Sequence, residues 1–218
     1  MPRTITTTVY EIHELENTAK AKAREWYIHN VLDRTNWHET VFNDFETVCG
    51  ILGITLQTRP ATRTVRGTAS PPRSCIWFTG FWSQGDGACF EGAWEHSTGC
   101  AGRLRRYAPL DKDLHRICDA LNAAQRPNFY QLQATITQHG RYYHEHSMRI
   151  DVERNHKNGL EPTEGASKSV SDAMRDLARW LYRSLQEDYE SQTSDDAIDE
   201  TIEANEWLFT AEGEHFAA

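Results

Sequence analysis

Between residues 142 and 154 the chain alternates strictly. Tyr142, His144, His146, Met148, Ile150 and Val152 fall on one side of an extended backbone, and Tyr143, Glu145, Ser147, Arg149, Asp151 and Glu153 on the other. A period of two describes a strand with one buried face, and a helix cannot satisfy it. Phe129 to Gln138 precedes it across His139-Gly140-Arg141, so the two stretches read as a hairpin whose first side meets Leu132, Ala134 and Ile136. A second hairpin is predicted upstream, with Cys75 to Ser83 and Ala88 to Glu95 flanking Gly85-Asp86-Gly87. A three-residue loop closed by a left-handed glycine at Gly87 places Trp82 opposite Phe90, Phe78 opposite Trp94 and Gly80 opposite Gly92. Paired glycines there would leave a shallow trough with aromatic walls, filled by a core helix or by a bound peptide or ligand.

Helical periodicity occupies both ends of the chain. A short strand from Ile5 to Tyr10 opens it, and helices follow over Glu11 to Leu32 and His38 to Leu52, the second stopped by Gly53. Asp111 to Ala124 reads as a helix between the hairpins, and Ser167 to Glu190 as a long helix after them. Ser194 has the character of an N-cap, and Asp195 and Asp196 suit the first turn of a last helix that ends near Glu206. Central strands with helices at both ends predict an α+β fold: an antiparallel sheet built around two β-hairpins and packed by N-terminal and C-terminal helices. A chain of 218 residues buries one substantial core. We therefore expect a single domain over 1–218, with a flexible, proline-containing loop at 59–73 and an acidic segment at 194–218.

Several function classes are disfavoured by what the sequence lacks. No apolar run reaches the roughly 18–20 residues of a membrane span, and the N-terminus has no basic start followed by a long apolar stretch. Cys49, Cys75, Cys89, Cys100 and Cys118 are odd in number and contain no Cys-x-x-Cys, so reduced thiols in a cytoplasmic protein are expected. Ser83-Gln84-Gly85-Asp86-Gly87 leads into a strand and not into a helix N-terminus, which makes it a turn and not a phosphate cradle. His144 and His146 share a side of their strand at a spacing that can hold a metal, with His139, Cys89 or His96 as conceivable third ligands. No residue marks that third ligand, and no nucleophile–base pair or carboxylate pair stands out, so no catalytic residue, metal or cofactor is assigned.

The charge distribution is more informative. The net charge is −9, yet after Arg183 there is no Lys or Arg, while eleven carboxylates follow from Glu187 to Glu214. Arg59, Arg63, Arg66 and Arg73, and then Arg103, Arg105 and Arg106, gather the positive charge elsewhere. Net acidity without a helix-turn-helix or zinc module argues against direct nucleic-acid binding. It suits a negative surface for a basic protein partner. The expected contact residues are Asp195, Asp196, Asp199, Glu200 and Glu203, with Trp82, Phe90 and Trp94 of the aromatic trough.

The stretch Cys75-Ile-Trp-Phe-Thr-Gly-Phe-Trp-Ser-Gln-Gly-Asp-Gly-Ala-Cys-Phe-Glu-Gly92 resembles one carried by a family of bacteriophage and prophage proteins. Some of its members bear the name "antitoxin of toxin–antitoxin stability system". Asn17-Thr-Ala-Lys-Ala-Lys-Ala-Arg-Glu-Trp26, Val41-Phe-Asn-Asp-Phe45, Asp176-Leu-Ala-Arg-Trp-Leu-Tyr182 and Thr201-Ile-Glu-Ala-Asn-Glu206 are similar too, so the likeness spans most of the chain. The resemblance implies a phage protein acting on a host protein or complex. The first expectation is a non-catalytic, anti-CRISPR-like or other inhibitor of a host defence complex, acting in the host cytosol through protein–protein contacts. Two alternatives stand beside it: an antitoxin-like partner that neutralises a basic toxin, and a metal-dependent enzyme of nucleotide or nucleic-acid metabolism built on His144 and His146.

Overall fold

The structure is a computed structural model that describes residues 6–60 and 72–217. The chain divides into two compact units, one formed by Met1–Thr40 with Gln186–Ala218 and the other by Val41–Leu185. The fold is α+β, with antiparallel sheets.

In the first unit a 3-10 turn, Ile12–Glu14, precedes α1, Asn17–Asn30. The Glu14 carboxylate accepts the Glu11 backbone N–H at 2.9 Å, which satisfies a donor that the turn leaves free. Helix α1 is alanine-rich, and Ala19, Ala23 and Tyr27 recur every four residues to make its buried stripe. The one long helix expected from Glu11 to Leu32 is therefore interrupted: a 3-10 turn stands at each end, the second at Leu32–Arg34.

The other half of this core comes from the C-terminal end of the chain. In α6, Asp195–Ala204, the Ser194 hydroxyl accepts the Ala197 N–H at 3.4 Å as the expected N-cap, and Ile198 and Ile202 are buried against α1. Strands β9, Leu208–Phe209, and β10, His215–Phe216, then pair across a tight turn. Gly213 sits there at φ +82°, with the Ala19 carbonyl occupying the place where a Cβ would project. The opening strand expected over Ile5 to Tyr10 does not form. Ile5 lies outside the described residues, and among residues 6–10 only Tyr10 joins a sheet, in an isolated bridge to Phe209.

The second unit is built on a four-stranded antiparallel sheet. Helix α2, Glu39–Leu52, buries Phe45, Val48, Cys49 and Leu52, the stripe its sequence announces, and ends at Gly53. It leads into β1, Ile54–Leu56. Two short pairs follow: β2, Thr58–Arg59, with β3, Arg73–Ser74, and β4, Ile76–Phe78, with β5, Ala88–Phe90. Most of the loop expected at 59–73 lies outside the described residues, and its two ends are this β2–β3 pair. After β6, Gly92–Glu95, come α3, Cys100–Tyr107, which no sequence pattern singled out, and α4, Lys112–Gln125, capped by the Asp111 carboxylate. Strands β7, Leu132–Gln138, and β8, Met148–Arg154, complete the sheet in the order β1-β6-β7-β8, and α5, Ala166–Gln192, follows.

Both hairpins form with a register six residues from the expected one. In the upstream pair Ile76 faces Phe90 and Phe78 faces Ala88, so Trp82 does not meet Phe90 and Phe78 does not meet Trp94. Gly80 is not opposite Gly92 either, because Gly92 belongs to β6, between Leu56 and Ile136. There the β1 backbone comes close enough that a Cβ on Gly92 would lie 2.5 Å from the Thr55 carbonyl oxygen. The cause of the shift is Asp86. Its carboxylate accepts the backbone N–H groups of Trp82 at 3.0 Å and Ser83 at 2.6 Å, closing a local turn that draws residues 79–87 out of the sheet. In the downstream pair Gln138 faces Met148, and residues 139–147 leave the sheet. A slip of six is even, so Met148, Ile150 and Val152 keep the inward face that alternation assigned them.

The first unit carries its own pH dependence. The His215 ring stacks on Trp26 at 3.9 Å between centroids, and burial holds its imidazole below the usual range. The unfolded chain then binds the proton first, so this histidine destabilises the unit as pH falls below the ordinary imidazole value of about 6.5. Thermal melts from pH 7.5 to 5 should show a falling midpoint in the wild type, and His215→Phe should flatten that part of the decline. Parallel curves for the two proteins would remove His215 as its source.

Candidate functional site

The predicted acidic contact surface is partly committed to the fold. Arg24, on α1, donates from Nε and Nη2 to the two oxygens of Asp199 at 2.7 and 2.6 Å and also binds Asp195. The bidentate Asp199 contact raises the guanidinium further above its ordinary value, against the opposing effect of burial. Asp195 and Asp199 therefore fasten α6 to α1, whereas Asp196, Glu200 and Glu203 are exposed. The aromatic part of the prediction is corrected more strongly. Phe90 is fully buried against Phe45, and Trp94 is buried with its indole N–H donating to the Leu52 carbonyl at 3.1 Å. Both belong to the core because β5 and β6 lie inside the unit, and only Trp82, on the Asp86 turn, reaches solvent.

The second unit carries a charged cleft of about 290 Å³ where the two extruded loops meet. His144 packs so tightly on Gly87 that a Cβ there would fall 2.8 Å from its ring. Glu145 is buried and pairs with Arg179 at 3.2 Å; Arg179 also holds Asp176, which Arg116 engages at 2.6 Å. Burial alone would raise the Asp176 carboxyl, but the two guanidiniums outweigh it and hold the group below its ordinary range. Residues Glu145–Ser147 form a 3-10 turn, not a strand. Donor atoms of His144, Glu145 and His146 consequently lie within 4.8 Å of one another. Two nitrogens and one carboxylate oxygen form the ligand set of an open zinc site. The carboxylate that comes beside the two rings is that of Glu145, and not a side chain of His139, Cys89 or His96. Strand geometry had pointed Glu145 to the opposite face, and only the turn swings it beside both rings.

A second cavity, of about 840 Å³, lies along α3 and α4. Cys100, the first residue of α3, lines it; Cys118, on α4, is fully buried with its sulfur 3.5 Å from that of Cys100. The Asn122 amide nitrogen reaches both sulfurs, at 3.3 and 3.5 Å. The hydrogen bond from Cys118 lowers the Cys100 thiol to about 6 against the effect of burial, with help from Asn122, the Ala101 backbone and His96. Cys118, the donor, is raised. Across the cavity Tyr130 packs on His96 at 4.5 Å between ring centroids, and both Phe129 and Tyr130 adopt left-handed backbone at φ 54° and 60°. Such conformations cost roughly 1–3 kcal/mol each for residues with side chains, and they concentrate at functional sites.

Residues 37–195 match the family model described as a domain of unknown function, DUF8835. The chain belongs to that family. The match contains all of the second unit and leaves out most of the first, including α6 beyond Asp195. Neither curated proteins nor solved structures provide a match.

Glu145 is the buried charge on which the cleft turns. Arg179→Ala should destabilise the protein by about 1–2 kcal/mol in denaturant melts, because it strips a buried carboxylate of a partner that is itself half-exposed. Adding Glu145→Gln to that variant should recover the part of the loss that comes from Glu145 and leave the part that comes from Asp176. Additive losses would mean that the two side chains are not coupled.

Proposed function

We propose that this DUF8835 protein is a non-catalytic binding protein that inhibits a host defence complex, holding a basic protein surface against the carboxylates of its first unit. The observation that carries this reading is charge segregation. The first unit holds seventeen Asp and Glu against five Lys and Arg, and the second holds fifteen against eighteen, together the 32 acids and 23 bases of the chain. The whole negative excess thus sits in one unit, where it steers a basic partner and excludes acidic ones. Free thiols at all five cysteines and the absence, among the described residues, of a helix long and apolar enough to cross a membrane accord with action in the host cytoplasm. The resemblance to phage proteins supports a host target.

Asp196→Lys, Glu200→Lys and Glu203→Lys together test this while keeping the direct Arg24 contacts to Asp195 and Asp199. Affinity capture from lysate of defence-competent cells, at two salt concentrations, should recover a salt-sensitive complex with a basic surface. The triple variant should weaken it about a hundredfold or more, since three charges are reversed at one surface. Unchanged affinity would remove the acidic-surface mechanism, and capture of a co-encoded basic toxin would replace inhibition by the antitoxin reading.

The clustered donors of His144, Glu145 and His146 favour a second reading, a metal-dependent enzyme acting on phosphate-bearing nucleotide or nucleic-acid substrates, with Arg116, Arg179 and Arg183 lining the cleft. Elemental analysis after purification without chelator should then find one zinc per chain, lost on His144→Ala or His146→Ala. A metal-free protein that takes up no added zinc would end this reading.

A further inference from the structure

Cys49, Cys75 and Cys89 show what burial does to a thiol in this protein. Each is raised chiefly by loss of solvent, Cys89 to about 12, which disfavours the reactive thiolate. Cys100 and Cys118 are buried as well but differ in kind, because their sulfurs touch each other and share the Asn122 amide. That amide serves either charge state: its oxygen lies 3.6 Å from the Cys100 sulfur to accept from a thiol, and its nitrogen lies 3.3 Å away to donate to a thiolate. The Ala101 backbone, at the start of α3, adds a further donor to Cys100. Access differs between the two as well. Cys100 stands in the wall of the cavity, whereas Cys118 lies behind it with no exposed surface.

We propose that Cys100 and Cys118 form a redox-active dithiol whose substrate is a small hydroperoxide, with Cys100 as the attacking sulfur and Cys118 as the resolving one. The Cys100 thiolate attacks the terminal peroxide oxygen and the O–O bond breaks; the sulfenic oxygen keeps the peroxide's proton, and the departing alkoxide or hydroxide takes up the proton that the Cys100 thiol released, leaving as alcohol or water. Cys100 is then a sulfenic acid. The Cys118 sulfur displaces its hydroxyl, the disulfide forms, and the hydroxide leaves as water with the Cys118 proton. One peroxide is reduced by two electrons as two thiols become one disulfide. The sulfurs stand 3.5 Å apart and must close to the covalent distance of about 2.05 Å. This chemistry belongs to the second unit and is independent of the acidic surface on the first.

The test uses the full-length protein with one equivalent of hydrogen peroxide, followed by alkylation in denaturant and peptide mass analysis. The expected product has lost two hydrogens and two of its five free thiols, carries a Cys100–Cys118 link, and returns to the starting mass with dithiothreitol. Cys118→Ser should halt at a sulfenic acid that dimedone traps on Cys100, and Cys100→Ser should form no link. Competitive labelling of the unmodified fold needs no variant and should place Cys100 about tenfold or more ahead of Cys49. Equal labelling of the two, or oxidation that links neither Cys100 nor Cys118, would overturn the proposal.

Discussion

The pairing of β7 with β8 at Gln138–Met148 is the constraint from which the second unit's architecture follows. It secures Leu132, Ala134 and Ile136 against the inward side of β8, and β6 and β1 add to the same sheet at one edge. Because the strands stop pairing at Gln138 and Met148, residues 139–147 must close outside the sheet. The Asp86 turn does the same to residues 79–87. These two extrusions meet at Gly87 and His144, and the charged cleft lies at their junction. The sheet does not line the cleft, but its register decides that the cleft exists.

Electrostatics separate the two units by role. In the first, an arginine at the α1–α6 contact engages Asp195 and Asp199, while Asp196, Glu200 and Glu203 remain exposed. In the second, charges of both signs interlock around the buried Glu145 and the partly buried Asp176, with arginine partners that are themselves half-exposed. Exposed carboxylates in excess attract bases and repel acids. A closed network beside clustered ligands is suited to holding something small. The family match covers the second unit, which holds the cleft and the thiol cavity, and the acidic surface falls largely outside the matched residues.

The thiol pair illustrates how position overrides residue type. Five cysteines with unremarkable spacing are chemically alike in a linear chain. Once folded, three are silenced by burial, while two are brought sulfur to sulfur by the packing of α3 on α4, eighteen residues apart in sequence.

What was legible beforehand was whatever depends on neighbours in the chain. The stripe from Phe45 to Leu52, the Ser194 cap, the long α5 and the inward face of Met148, Ile150 and Val152 all follow from local periodicity and capping chemistry. So does the α+β class. The registers did not follow, because a shift of six preserves every face and alternation cannot distinguish one such register from another. The burial of Phe90 and Trp94, the commitment of Asp195 and Asp199 to Arg24, the convergence of Glu145 on its flanking histidines and the meeting of Cys100 with Cys118 were likewise decided only in three dimensions. Each depends on contacts between segments distant in sequence or on a turn stabilised by them. Composition and spacing by themselves determined most of the helices and the inward face of the paired strands; tertiary packing decided where the strands stop and which side chains meet, because that choice is made by the partner segment.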